Sequence, residues 1–155
     1  MDAYEKTKIA FKACFEGDLS TLERIINELA IRPDFLFFNY AIVKGQMNVI
    51  KYLVEKQNMI PDKDIFIESV KRSHFEVVQY LNRYHKFDYD CLKCALENKC
   101  WSMVDILLQS GLNIMENCIS FIIYGERIKE YIDYRKGLET QNEECKNVSE
   151  GQEPY

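Results

Sequence analysis

Three cysteines and one histidine lie close enough along the chain to be considered as metal ligands. Cys91 and Cys94 form a Cys-x-x-Cys pair, with Cys100 after it and His85 before it. Zinc binds four deprotonated nitrogen or sulfur ligands, and a Cys-x-x-Cys turn supplies two of them. This pair falls inside a predicted helix and has no second Cys-x-x-Cys partner. Buried thiols packed between helices are therefore the favoured interpretation, and no metal ligand is predicted.

Nucleophilic catalysis needs a serine or cysteine placed beside a base, and the sequence shows no motif of that kind. The chain has only two histidines, of which His74 falls at a predicted turn between helices. A glycine-rich loop that could cradle a phosphate is also missing. The sequence therefore predicts no enzyme, no catalytic residue, no cofactor and no small-molecule substrate.

Composition and charge favour one globular protein. The chain has 155 residues, 47% of them hydrophobic, and a formal net charge of -5. Most of that charge lies after residue 138, so the remainder is nearly neutral, which argues against nucleic-acid binding. No membrane span and no signal peptide are recognisable. We therefore expect a cytoplasmic protein that does not bind membranes, with its six cysteines as free thiols.

One short pattern recurs along the chain and indicates how it is organised. It covers the segments 13–17, 41–45, 69–73 and 95–99, which begin with Ala13, Ala41, Ser69 and Ala95 at intervals of 28, 28 and 26 residues. A fixed interval of this size is typical of stacked repeats. Each copy predicts a helix, a tight turn and a second helix with apolar residues every three or four positions. In the third copy, Asn82 stands where the earlier copies have Ile26 and Val54.

These copies predict one repeat domain over residues 1–138. The repeats cover about 4–34, 35–62, 63–88 and 89–114, followed by a capping repeat over 115–138. The capping repeat is predicted as two helices joined by a turn at Gly125. Residues 139–155 are rich in Glu, Gln and Asn and poor in apolar residues, so we expect a disordered acidic tail there.

The segments Ala13–Ile26 and Ala41–Val54 carry a small residue, then Gly, then apolar residues at helical spacing. This pattern resembles the ankyrin repeat, but the Thr-Pro-Leu-His segment of that family is absent, and the interval is shorter than the usual one of roughly 33 residues. The resemblance implies an all-α, ankyrin-like solenoid of stacked helix-turn-helix repeats with short loops. The shortened, aromatic-rich repeats also resemble those of large cytoplasmic DNA viruses, such as asfarviruses and mimiviruses.

By analogy with ankyrin proteins, the residues that end each first helix would face a partner protein. We call these eight residues the predicted stripe, and they are Phe15, Glu16, Val43, Lys44, Lys71, Arg72, Glu97 and Asn98. The resemblance implies a non-catalytic interaction module that sterically blocks its partner, as a viral modulator of innate signalling in the host cytoplasm. One alternative is an inhibitory subunit of an enzyme such as a kinase, and another is a zinc-binding protein that uses the Cys/His set.

Overall fold

The computed structural model describes the backbone of residues 2–113 and 118–150, and within the last helix it describes side chains from 124 to 142. These residues form nine α-helices and no β-strand. The helices are α1 (Ala3–Glu16), α2 (Leu19–Leu29), α3 (Phe35–Lys44), α4 (Met47–Glu55), α5 (Lys63–Lys71), α6 (Phe75–Leu81), α7 (Tyr89–Glu97), α8 (Trp101–Gln109) and α9 (Cys118–Glu150).

An aspartate directly precedes the first helix of each of the four predicted repeats. Asp2, Asp34, Asp62 and Asp88 accept hydrogen bonds from backbone N–H groups two or three residues later, at 2.8, 3.0, 2.9 and 3.1 Å. Each aspartate thereby satisfies an N–H group that has no partner inside the helix. Asp18 caps α2 in the same way and accepts a hydrogen bond from the Thr21 N–H at 3.1 Å.

The turn between the two helices has the same geometry in all four repeats. Its central residue is left-handed, with φ of 77° at Gly17, 66° at Gly45, 55° at Ser73 and 54° at Lys99. The next residue donates its N–H to the carbonyl of the small residue in the preceding helix, at 2.9 to 3.2 Å. Those small residues are all buried, and they are Ala13, Ala41, Ser69 and Ala95. The repeat register predicted from the sequence is therefore confirmed.

Residues up to Cys91 form one compact unit. Within it α1 packs on α2, α3 on α4, and α5 on α6. The first helices also contact one another in chain order, as do the second helices α2, α4 and α6. The helical spacing places the apolar residues of each pair in these contacts. The largest fully buried side chains of this first unit include Leu22, Ile25, Phe38, Ile50, Leu53, Phe66 and Leu81.

A second compact unit begins at Leu92. In this unit α8 buries Met103, Val104 and Leu107, and α9 buries Ile128 and Tyr131. The Tyr131 hydroxyl donates a hydrogen bond to Asp105 at 2.5 Å. Burial, together with this bond to a carboxylate, raises the pKa of Tyr131 to about 12, so the phenol stays protonated at neutral pH.

The predicted capping repeat differs from the structure. In place of two helices joined at Gly125, a single helix continues from Cys118 to Glu150. One glycine inside a helix costs about 1 kcal/mol, which neighbouring helix formers can offset. The same helix includes residues 139–150, where the sequence predicted disorder, because Glu, Gln and Lys are also good helix formers. Residues 114–117 and 151–155 lie outside the described residues, and the boundary at residue 138 stays a prediction.

No helix in the ranges 2–113 and 118–150 combines the length and apolar character needed to cross a bilayer.

Candidate functional site

Six residues of the predicted stripe lie at the ends of α1, α3 and α5. Glu16, Lys44 and Lys71 are the last residues of these helices. Because α1 contacts α3 and α3 contacts α5, the three helix ends follow one another within the first unit. Glu16, Lys44, Lys71 and Arg72 are exposed.

Phe15 and Val43 are less exposed than the sequence suggested, since both are half-buried. The Lys44 ammonium lies 5.0 Å from the centre of the Phe15 ring, and the lysine side chain thereby covers part of that ring. The Val43 carbonyl lies 3.4 Å from the Nε2 of His74 in the next repeat. Contacts between repeats, which a single repeat sequence does not reveal, account for this burial.

The positive charge of Lys71 and Arg72 in the predicted stripe is partly neutralised. The Arg72 Nε lies 2.7 Å from a carboxylate oxygen of Glu68, and the Lys71 Nζ lies 3.8 Å from the other oxygen. One carboxylate therefore serves two cations, which leaves a net charge of about +1 at the end of α5. On α1, Glu16 pairs with Lys12 at 3.7 Å.

Glu97 and Asn98 belong to the second unit, where both are exposed. The Tyr124 hydroxyl donates a hydrogen bond to Glu97 at 2.7 Å, and this bond is the leading cause of the raised pKa of Tyr124. The Asn98 amide donates to the Cys94 carbonyl at 2.8 Å. Both polar groups therefore already have partners inside the unit.

Sequence reasoning missed an aromatic contact beside the stripe. The Phe11 and Tyr40 rings are stacked with centroids 4.9 Å apart, and 41% of Tyr40 is exposed. Leu36, one turn before Tyr40 on α3, is 48% exposed. Within the run 35–38, Phe37 and Phe38 are buried, whereas Phe35 and Leu36 are exposed. The four-residue spacing of Leu36 and Tyr40 is the signal that could have indicated a shared exposed face.

A second missed feature is that polar side chains reach back to the preceding repeat. The Gln46 amide donates to the Phe15 carbonyl at 3.0 Å, and the Asn48 amide donates to the Gly17 carbonyl at 2.7 Å. A Cβ atom added to Gly17 would lie 2.5 Å from the Gln46 Oε1. A residue of one repeat therefore covers the turn of the repeat before it and holds the helix end that carries Phe15.

The cysteines proposed as metal ligands are mostly buried. Cys91 is 0% and Cys94 is 8% exposed, whereas Cys100 is half-buried. Burial raises the pKa of the Cys91 thiol to about 12, which disfavours the thiolate that a metal requires. Among the described residues, no group of three or more His, Cys, Asp or Glu is arranged to hold a metal ion.

His85, the fourth candidate ligand, has a structural contact in the first unit. One of its ring nitrogens, Nε2, lies 2.7 Å from the Pro61 carbonyl. The neighbouring loop is fixed by Lys63, whose ammonium pairs with Asp88 at 2.8 Å and also with Asp90. Hydrogen bonds to these two carboxylates raise the pKa of Lys63 above its usual value. These contacts tie the loop after α6 to the beginning of α5.

The structure thus defines a class, an all-α protein whose helices pack in sequential pairs. No family model matches the chain, and no curated protein and no solved structure is significantly similar to it. The resemblance to ankyrin repeats therefore stays a prediction.

Proposed function

We propose that this protein is a non-catalytic, protein-binding module that uses the exposed ends of α1, α3 and α5. The observation that carries the proposal is the contact between the ends of α1 and α3, where the Lys44 ammonium lies over the Phe15 ring. A row of neighbouring helix ends presents charged and apolar groups together, which is the composition of protein interfaces.

The turns support this proposal because they make the helix ends rigid. Gln46 and Asn48 fasten the end of α1, and His74 contacts the end of α3. A preformed surface loses little conformational freedom when it binds a partner, so a modest interface suffices. The mechanism is steric, since a partner held on this surface is blocked from other contacts. We further propose that the helix pairs stack as a solenoid of ankyrin-like repeats. We also propose that the protein acts in the cytoplasm.

Two narrower functions remain within the proposal. The first is a viral modulator that occupies a component of host innate signalling, as the resemblance to viral repeats implies. The second is an inhibitory subunit that blocks an enzyme such as a kinase. Both use the same surface and differ only in the partner. Affinity purification from host cells, followed by mass spectrometry, distinguishes them by identifying what is retained.

The surface is tested by reversing its charge. A variant with Lys44→Glu, Lys71→Glu and Arg72→Glu should keep its fold, since surface changes usually shift stability by about 0.5 kcal/mol or less. It should lose the partners that the parent retains in affinity purification. The matched control reverses three exposed cations outside the surface, and these are Arg32, Lys56 and Lys86. Equal recovery by both variants would contradict the proposal.

A further inference from the structure

The exposed sides of α1 and α3 share an apolar surface that the predicted stripe did not include. Phe11 and Phe15 lie one turn apart on α1, and Leu36 and Tyr40 lie one turn apart on α3. The stacking of Phe11 on Tyr40 joins the two helices across this surface. We call these four residues the aromatic patch. Leu36 and Tyr40 are exposed, so the patch offers area that a partner could bury.

Lys8, Lys12 and Lys44 lie on the same two helices as the aromatic patch. The Lys8 ammonium lies 4.4 Å from the Tyr4 ring centre, and Lys44 lies over Phe15. A ring orients an ammonium group and leaves its full charge in place. The third lysine, Lys12, pairs with Glu16 at 3.7 Å, and Asp34 at the start of α3 accepts a hydrogen bond from the Leu36 N–H. Two ammonium groups beside the patch, those of Lys8 and Lys44, therefore form no ion pair with the described residues.

The end of α5 differs from this region, although it belongs to the same predicted stripe. There the Glu68 carboxylate already forms ion pairs with both Lys71 and Arg72. A partner carboxylate that approaches α5 must compete with Glu68, whereas Lys8 and Lys44 have no carboxylate within 4.0 Å among the described residues. Charge complementarity therefore favours α1 and α3 as the place where an acidic ligand binds.

We propose, on the basis of the proposed function, that the partner supplies an acidic amphipathic segment that packs on the aromatic patch. Its apolar side chains cover Leu36 and Tyr40, and its carboxylates face Lys8 and Lys44. An amphipathic helix laid along two neighbouring helices suits a surface with apolar residues one turn apart. An anionic membrane fits less well, since recognition of acidic lipids usually takes clusters of about four to eight basic residues.

Direct binding of designed peptides tests this inference. The probe is a fluorescent amphipathic peptide about 20 residues long, with leucine on one face and glutamate at every charged position. Its control carries lysine in place of glutamate. Fluorescence anisotropy should detect binding of the acidic peptide to the full chain and at least about tenfold weaker binding of the basic one. Vesicles containing phosphatidylserine form a separate arm and should not bind.

Variants locate the site on the chain. Lys44→Glu and Tyr40→Ser should each weaken binding of the acidic peptide by about tenfold. The double change Lys71→Gln with Arg72→Gln should change it less than about threefold, because both cations lie outside the aromatic patch and already share the Glu68 carboxylate. Since Tyr40→Ser removes a ring contact, a circular dichroism melt accompanies it, and Lys44→Gln serves as a second variant that leaves the stack in place.

Several results would overturn the inference. These are equal affinity for both peptides, binding of vesicles in preference to peptide, or loss of binding only in the α5 double variant. Self-association that disappears in Tyr40→Ser would assign the patch to a second copy of the chain. If cellular partners are still retained while the acidic peptide fails to bind, the inference fails and the proposed function stands. If no partner is retained by the parent protein, the proposed function itself fails.

Discussion

The second and third repeats have the same backbone geometry and very different residues at its critical positions. Gly45 and Ser73 both have positive φ, and Ala41 and Ser69 are both buried where the paired helices meet. The second repeat has glycine at the left-handed turn and alanine at the helix contact, which are the residue types that such sites favour. The third repeat has serine at both positions. The comparison indicates that packing against neighbouring helices, more than the local sequence, imposes this conformation on the third repeat.

The largest effect is expected when the turn of the second repeat is altered. Gly45→Ala places a Cβ in a left-handed conformation, which costs about 1 to 2 kcal/mol. That Cβ would also lie 2.8 Å from the Nδ1 of His74. We expect a loss of about 2 kcal/mol or more in urea unfolding, and His74→Ala should recover part of it. A double variant no more stable than Gly45→Ala would show that the contact with His74 is irrelevant.

A gain is expected where the third repeat departs from the second. The Oδ1 of Asn82 is buried and has no hydrogen-bond partner among the described residues, and the equivalent Val54 is 7% exposed. A buried unsatisfied polar group costs about 1 to 3 kcal/mol. Asn82→Val should therefore raise the free energy of unfolding by about 1 to 2 kcal/mol. The reverse change, Val54→Asn, is the control and should lower it.

The turn of the third repeat should also gain from a glycine. Ser73 has φ of 55°, and only glycine adopts that region without a steric cost. We expect Ser73→Gly to raise stability by about 0.5 to 1 kcal/mol, since the greater freedom of glycine in the unfolded chain offsets part of the gain. The neighbouring Arg72 has φ of -89°, so Arg72→Gly should lower the melting temperature. A fall for both variants would contradict this account.

The smallest effect is expected at Ser69, although it is fully buried. Its hydroxyl donates to the carbonyl of Phe66 in its own helix at 2.6 Å, so no distant group depends on it. Ser69→Ala introduces the residue that Ala41 provides in the second repeat. We expect a change within about 0.5 kcal/mol in thermal unfolding. A loss above about 2 kcal/mol would show that this hydroxyl supports more than its own helix.

The sequence predicted the repeat register well because that register depends on local constraints. A small residue where helices meet and a glycine at a left-handed turn are visible one repeat at a time, as at Ala41 and Gly45. The third repeat has serine in place of both the alanine and the glycine. Its interval of 28 residues from the second repeat was enough to identify Ser69 and Ser73 as the equivalent positions. Continuity of α9 was missed because an isolated glycine such as Gly125 fits either a turn or a helix interior.

The candidate site could be predicted only in part. The positions of Lys44 and Lys71 followed from the register, and the structure places both at exposed helix ends. Their surroundings depend on side chains from other turns or repeats, such as Phe15 beneath Lys44 and Glu68 beside Lys71. These contacts are specified by the packing of neighbouring helices and by rotamers, which a pattern of residue types does not encode.

The backward reach of Gln46, Asn48 and His74 has a consequence for synthesis on the ribosome. Each of these side chains contacts a carbonyl 31 residues earlier in the chain. In a nascent chain these turns can therefore gain their covering side chains only after the following repeat has left the exit tunnel. The last turn of a truncated product would lack this cover and would be more accessible to proteases.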